Sequence, residues 1–206
     1  MYLKKLKNLF GEGKPVRTLD LNDEELEILK ESFLLTLKPI LYVGNISENE
    51  IENQDKNENL VKLKKYAKSE NTEVIPLCVK IEEELSGLEK EDKKEMLEAL
   101  GLEESGLDKL IKASYKLLGL ISFLTAGEPE VRAWTIKKGT KAPNAAGKIH
   151  SDIERGFIRA EVISFTELMN CGGSLVEAKE KGLVRSEGKD YIMQDGDIVL
   201  FRFNVW

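Results

Sequence analysis

The sequence is poor in residues that build closed or covalently stapled sites. It has two cysteines, Cys78 and Cys171, far apart and in no C-x-x-C pattern. A disulfide framework is therefore not expected, and a reducing cytoplasm is. It has one histidine, His150, which excludes any multi-histidine metal site. No apolar run approaches the roughly 18–20 residues that span a bilayer, so no membrane partner is expected. The first residues, MYLKKLKNLFGEGKP, lack the apolar length and small-residue cleavage site of a signal peptide. There is no internal repeat and no low-complexity tract.

The chain does have length for one or two domains and an uneven charge. Of 206 residues with net charge −6, residues 120–206 carry twelve bases and twelve acids, so the acidity belongs to residues 1–119. Within the balanced part, Arg132 to Ala160 holds seven Lys/Arg and two Asp/Glu. A basic stretch in an acidic protein is a candidate phosphate-binding surface, or a face balanced by the acids that follow it. The exposed candidates are Lys137, Lys138, Lys141, Lys148, Arg155 and Arg159, because long cationic side chains are seldom buried. Trp134 and Phe157 are able to stack on bases, but at strand positions they are expected in the core.

The pattern divides into elements. Leu3, Leu6 and Phe10 fall at helical spacing. Asn22 and Glu25 form a capping box, and Leu26, Leu29, Phe33 and Leu37 continue one stripe to Pro39. Ile40–Val43 is a short apolar run expected to be a strand buried on both faces. A lysine-rich helix around Leu60, Leu63 and Ala67 and a second strand at Val74–Leu77 complete a parallel βαβ unit. An acidic helix starts near Ile81, with Glu82, Glu83 and Glu84 as a solvated face. Another runs from Glu95 to Leu100, and Gly101 stops it. Ser105 and Asp108 cap a helix whose buried face is Leu107, Leu110, Ile111, Leu117 and Leu118. Then come a strand at Val131–Ile136, a short Ala-rich helix from Pro143 to the Arg155-Gly156 stop, and a strand at Phe157–Phe165. Asp195-Gly196-Asp197 is expected as a hairpin turn rather than a metal loop. His150 is expected to cap a helix or face a partner.

Two segments carry a specific resemblance. RAWTIKKGTKAPNAAGKIHSDIERGFIRAE (residues 132–161) and the ending EGKDYIMQDGDIVLFRFNV (residues 187–205) resemble the C-terminal TGS domain of the YchF/Obg-like ATPase family, in a match from about Phe123 to Val205. The resemblance implies a ubiquitin-like β-grasp domain over 120–206. It also implies the C-terminal part of a P-loop-type G domain over 39–119 and the end of a coiled-coil insertion over 1–38. The fold class is thus α+β, a partial parallel α/β half followed by a β-grasp domain. In such G domains the loops after two adjacent strands read the base. Asn45-Ile46-Ser47-Glu48 resembles the family's N-x-x-E variant of N-K-x-D, and Cys78-Val79-Lys80 resembles the second loop. Ile46 stands where N-K-x-D has its base-packing lysine. An amide both donates to and accepts from a purine edge. The aspartate of N-K-x-D accepts from guanine's N1–H and amine, and adenine has neither donor there, so the resemblance implies ATP rather than GTP.

The sequence departs from the family at its start. It has no G-x-x-x-x-G-K-[ST], since the GEGK at Gly11–Lys14 runs into Pro15, and it has no D-x-x-G switch or magnesium-binding threonine. The resemblance therefore implies a portion of an ATP-hydrolysing, ribosome-associated regulator of translation or stress that is inactive alone. Mg²⁺ would be held by residues outside it. The expected partners are the ribosome and its RNA, or a protein through the TGS domain, with no DNA. The alternative is a non-catalytic binding module with no nucleotide role.

Overall fold

A computed structural model describes residues 2–127 and 130–204, with side chains described from residue 5. The chain divides into two compact units, residues 1–117 and 118–206. Together they are mixed α and β, with one parallel sheet and one mixed sheet.

The first unit begins with α1 (Tyr2–Gly11) and α2 (Asp23–Lys30). Of the α1 side chains described, Leu6 and Leu9 are buried and Phe10 is half exposed, and Leu3 lies outside the described side chains. They meet Val16 and Leu29 in a small core. The Asn22/Glu25 capping box forms as expected: the Asn22 side chain accepts from the Glu25 N–H at 2.9 Å and the Glu25 carboxylate accepts from the Asn22 N–H at 3.2 Å. The helix does not reach Pro39. It ends at Lys30, and Phe33 turns the chain with φ +48 and an exposed ring. That reversal returns Leu34 and Leu37 to the core around Leu29, so packing outweighs the local helical stripe.

Next come β1 (Tyr42–Asn45), α3 (Glu58–Ser69) and β2 (Val74–Leu77). The two strands pair in parallel, Tyr42 with Val74 through Asn45 with Leu77. The first strand lies two residues later than the apolar run suggests, and Val43 is exposed, so it is not buried on both faces. The register is held at its start, where the Tyr42 N–H donates to the Glu73 carbonyl at 3.2 Å and the Thr72 hydroxyl donates to the Ile40 carbonyl at 2.5 Å. Gly44 lets α3 approach: a Cβ there would stand 2.6 Å from Leu60 Cδ1.

The unit closes with α4 (Val79–Ser86), α5 (Lys90–Ala99) and α6 (Gly106–Leu117). Cys78, Ile81 and Leu85 pack with Leu97 in a core that α4 shares with α5. The Ser105 hydroxyl accepts from the Asp108 N–H at 3.1 Å, which is the expected cap. Two expectations fail here. Glu82 is no solvated residue: its two oxygens accept from the N–H groups of Gly106 and Leu107 at 2.7 and 3.1 Å. Those are orphan donors of the first helical turn, and a carboxylate satisfies them with favourable charge. Leu107, Ile111, Leu117 and Leu118 are exposed rather than buried.

The second unit is built on a five-stranded sheet: β3 (Leu120–Ala126), β4 (Val131–Lys137), β5 (Phe157–Ser164), β6 (Arg185–Glu187) and β7 (Asp197–Phe203), in the order β4-β3-β7-β5-β6. Only β3 and β7 are parallel to each other. Adjacent residues feed opposite faces, as the pleat requires. Val162 and Val199 join Phe123, Ile136 and Phe201 under α7 (Ala142–Gly147). Their neighbours Ile163 and Ile198 join Leu168 of α9 (Phe165–Asn170) and Ala178 of α10 (Leu175–Glu180) on the other face.

The expected single helix from Pro143 is two helices, α7 and α8 (Ser151–Arg155). His150 divides them with extended backbone and caps α8, its Nδ1 accepting from the Asp152 N–H at 3.2 Å. Gly156 follows at φ −89, so no left-handed turn demands it. Space does: a Cβ would lie 2.2 Å from the Asn204 carbonyl oxygen. Phe157 is buried, and Trp134 packs against the same core with its indole N–H donating to Thr125 at 2.9 Å. Asp195-Gly196-Asp197 turns into β7, but not between hairpin strands, because β6 pairs with β5. Asp195 instead accepts from the Ser122 N–H at 2.8 Å, and buried Asp197 accepts from the Tyr191 hydroxyl and the Gln194 N–H, each at 2.8 Å. Cys78 and Cys171 are free and buried in separate units.

Candidate nucleotide-base site and basic surface

The carboxyl ends of β1 and β2 lie side by side, and the pairing runs one step further through the Ile46 N–H to the Leu77 carbonyl at 2.9 Å. This brings the two candidate loops together. The Asn45 side chain links them directly, its Oδ1 accepting from the Val79 N–H at 3.2 Å. The Asn45 Nδ2 group keeps its donors free among the described residues. Glu48 and Lys80 form a second link, Nζ to Oε2 at 3.2 Å, with Glu84 at 3.8 Å from the same ammonium. The hydrogen bond to Glu48, then the charges of Glu48 and Glu84, hold the Lys80 pKa above its ordinary value.

The loop after β1 has its own brace. The Ser47 N–H and hydroxyl donate to Glu50 at 2.9 and 2.8 Å, and Asn57 donates to the other Glu50 oxygen at 2.9 Å. These bonds, the Ser47 backbone bond first, lower the Glu50 pKa. Ser47-Glu48-Asn49-Glu50 has the S-x-x-E form of a capping box, a signal present in the sequence. The brace fixes the turn that carries Glu48.

The six candidates divide by exposure. Asn45, Glu48, Val79 and Lys80 are exposed, whereas Ile46 and Cys78 are buried. Ile46 therefore presents no open face of the kind that a base-packing lysine presents. Its side chain lines a cleft of about 30 Å³ with Cys78, Ile81 and Glu82. That is room for about one water and not for a purine.

In the second unit the six basic candidates are all exposed. Three are engaged: Lys141 with Asp190 at 2.7 Å, Arg155 with Asp152, and Arg159 with Glu161 at 3.4 Å. Lys137, Lys138 and Lys148 have no acidic partner among the described residues. Lys137 and Lys148 line one open groove between β4 and α7, with Thr140, Asn144 and Glu154. Among the described residues no group of His, Cys, Asp or Glu has the arrangement to hold a metal ion, and no helix is long and apolar enough to cross a membrane.

Residues 120–204 match the family model YchF-GTPase_C, described as a protein of unknown function (DUF933). The chain is 56% identical over 203 residues to a ribosome-binding ATPase YchF of Bacillus subtilis, covering 98% of this chain and 55% of that protein. It is 45% identical over 199 residues to Obg-like ATPase 1 of Rattus norvegicus, covering 95% and 50%. Among solved structures, the Schizosaccharomyces pombe YchF GTPase superposes with TM-score 0.83 at 37% identity, over 97% of this chain and 53% of that one. The chain thus spans about half the length of the curated relatives it matches. Over that span it belongs to the YchF/Obg-like family.

Proposed function

We propose that this chain carries the adenine-reading end of a nucleotide site and a ribosome-directed surface, as a portion of a cytoplasmic, ATP-hydrolysing protein that regulates translation or stress responses. Residues 1–38 are read as the end of a coiled-coil insertion, 39–119 as part of a G domain and 120–206 as a TGS domain. The strand order β4-β3-β7-β5-β6 beneath a helix supports a ubiquitin-like β-grasp for the last of these. The names of the relatives, ribosome-binding ATPase and Obg-like ATPase, support ribosome association and ATP. The fission-yeast relative is named a GTPase, so the test compares ATP with GTP directly.

The observation that carries the nucleotide reading is the bond from the Val79 N–H to Asn45 Oδ1. It fixes the asparagine at the ends of two parallel strands, where open α/β sheets bind ligands, and leaves the amide donors of this exposed residue without a partner among the described residues. Asn45 and Glu48 address the purine edge, and Lys80 lies beside them. Ile46 and Cys78 shape the loops from within. ATP fits this donor set at its base only. Magnesium and the phosphates fall to residues not among these, because phosphoryl transfer depends on a phosphate loop, its lysine and Mg²⁺.

Titration of the isotope-labelled chain with ATP and GTP, followed by amide NMR, tests the reading. ATP should move the Asn45 side-chain and Val79 signals at lower concentration than GTP, and Asn45→Ala should remove the response. Equal responses to both nucleotides would refute it. The chain alone should show no ATP turnover, and turnover by a purified sample free of contaminating ATPase would overturn that expectation.

The second reading, a binding module acting through residues 120–206, draws on Lys137, Lys138 and Lys148. Their unpaired charge suits ribosomal RNA better than a protein partner. Salt-insensitive binding to a protein would reverse that preference.

A further inference from the structure

Glu48 is the group that would accept from a guanine's two adjacent donors. In this fold it is already occupied. Among the described residues Lys80 alone donates to its carboxylate, at 3.2 Å. The neighbouring Ser47 donors go to Glu50 instead. Lys80 is placed from the opposite loop, one residue after Val79, and Asn45 holds Val79. The Asn45–Val79 bond and the Glu48–Lys80 pair thus join the same two loops. Glu84, one turn along α4, keeps the ammonium on this side.

A free carboxylate favours guanine, which offers an N1–H and an exocyclic amine side by side, and it repels the lone pairs of adenine's ring nitrogens. A carboxylate neutralised by an ammonium does neither strongly. We infer that Lys80 is a positioning residue that sets base preference, engaging Glu48 so that its charge does not recruit guanine and the Asn45 amide makes the choice. The inference rests on the base-reading role proposed above. It assigns the second loop an active part in discrimination rather than a wall.

The test measures ATP and GTP affinities by the same NMR titration for wild type, Lys80→Met, Lys80→Arg, Glu48→Gln, and Lys80→Met combined with Glu48→Gln. Lys80→Met should shift the affinity ratio toward GTP by roughly two- to fivefold, the range one exposed charge pair supports. Lys80→Arg should keep the wild-type ratio. In the Glu48→Gln background the Lys80→Met change should have no effect on the ratio, because the interaction it removes is gone. An unchanged ratio in Lys80→Met, or an equal shift in both backgrounds, overturns the inference while leaving the base site standing. A wild-type chain that does not discriminate between nucleotides fails at the earlier step and takes the inference with it. Conserved amide spectra away from the loops show that each variant is folded.

Discussion

Three cations converge on the half-buried carboxylate of Glu161. Arg202 reaches it with Nε at 2.9 Å and Nη2 at 3.2 Å, Arg159 at 3.4 Å and Lys179 at 3.7 Å. The fork geometry makes the Arg202 pair the strong one. The Arg202 hydrogen bond is also the main cause of a Glu161 pKa below its ordinary value, with the charges of Arg202 and Lys179 adding to it. A lowered native pKa means stability present above the unfolded value, about 4.3, and lost as pH falls through the native one. Thermal unfolding of the chain should show this loss on its acid limb, and Glu161→Gln should flatten that limb. At neutral pH the same change should cost roughly 1 kcal/mol, because the arginine end of the pair is open to solvent. An identical acid limb in both proteins would remove Glu161 from the account. The same geometry bears on function, since Arg159, a candidate phosphate contact, has a partner already.

At the scale of elements, the joint between β2 and α6 is the tightest test. Gly106 opens the helix against Leu77, where an added Cβ would stand 2.5 Å from Leu77 Cβ, an atom fixed to the backbone. Gly106→Ala should therefore destabilise the first unit by about 1–3 kcal/mol through overpacking, despite alanine's better helix propensity. Glu82→Ala should cost about 0.5–2 kcal/mol by removing the cap. Urea unfolding monitored on the first unit measures both, and a neutral Gly106→Ala would show that the joint yields. The helix start was legible through Ser105 and Asp108, which stand three residues apart, but Glu82 was not, because its partners lie 24 and 25 residues on. The same division holds elsewhere. The Asn22 cap, the strand Val74–Leu77 and the cap at His150 are local and could be read. The stop at Lys30, the shift of β1 and the close approach at Gly156 come from distant packing and could not. In the candidate base site Asn45 and Glu48 were legible as a motif, and the Glu50 brace was legible as a capping box. The Glu48–Lys80 pair needed the strands brought together.

For the molecule as a whole, charge is divided by region. Residues 1–119 hold the net −6, and residues 120–206 are balanced in number. Balance in number is not balance in space. Among the described residues, ion pairing leaves Lys137, Lys138 and Lys148 as the uncompensated members of the six basic candidates. If RNA is the partner, its affinity must fall with salt in proportion to the phosphates neutralised, with a slope in log–log form of roughly 0.7–0.9 per contact. Six contacts give a slope of about 4–5, and three give about 2–3. The pairing pattern predicts the smaller value for binding of this chain to ribosomal RNA. Lys137→Ala with Lys148→Ala should lower it by a further 1.5 or so, whereas Arg155→Ala should leave it nearly unchanged, because Asp152 already neutralises that guanidinium. A slope near 5 that drops with Arg155→Ala would mean that RNA displaces the intramolecular acids. Binding with no salt dependence would move the partner from RNA to protein.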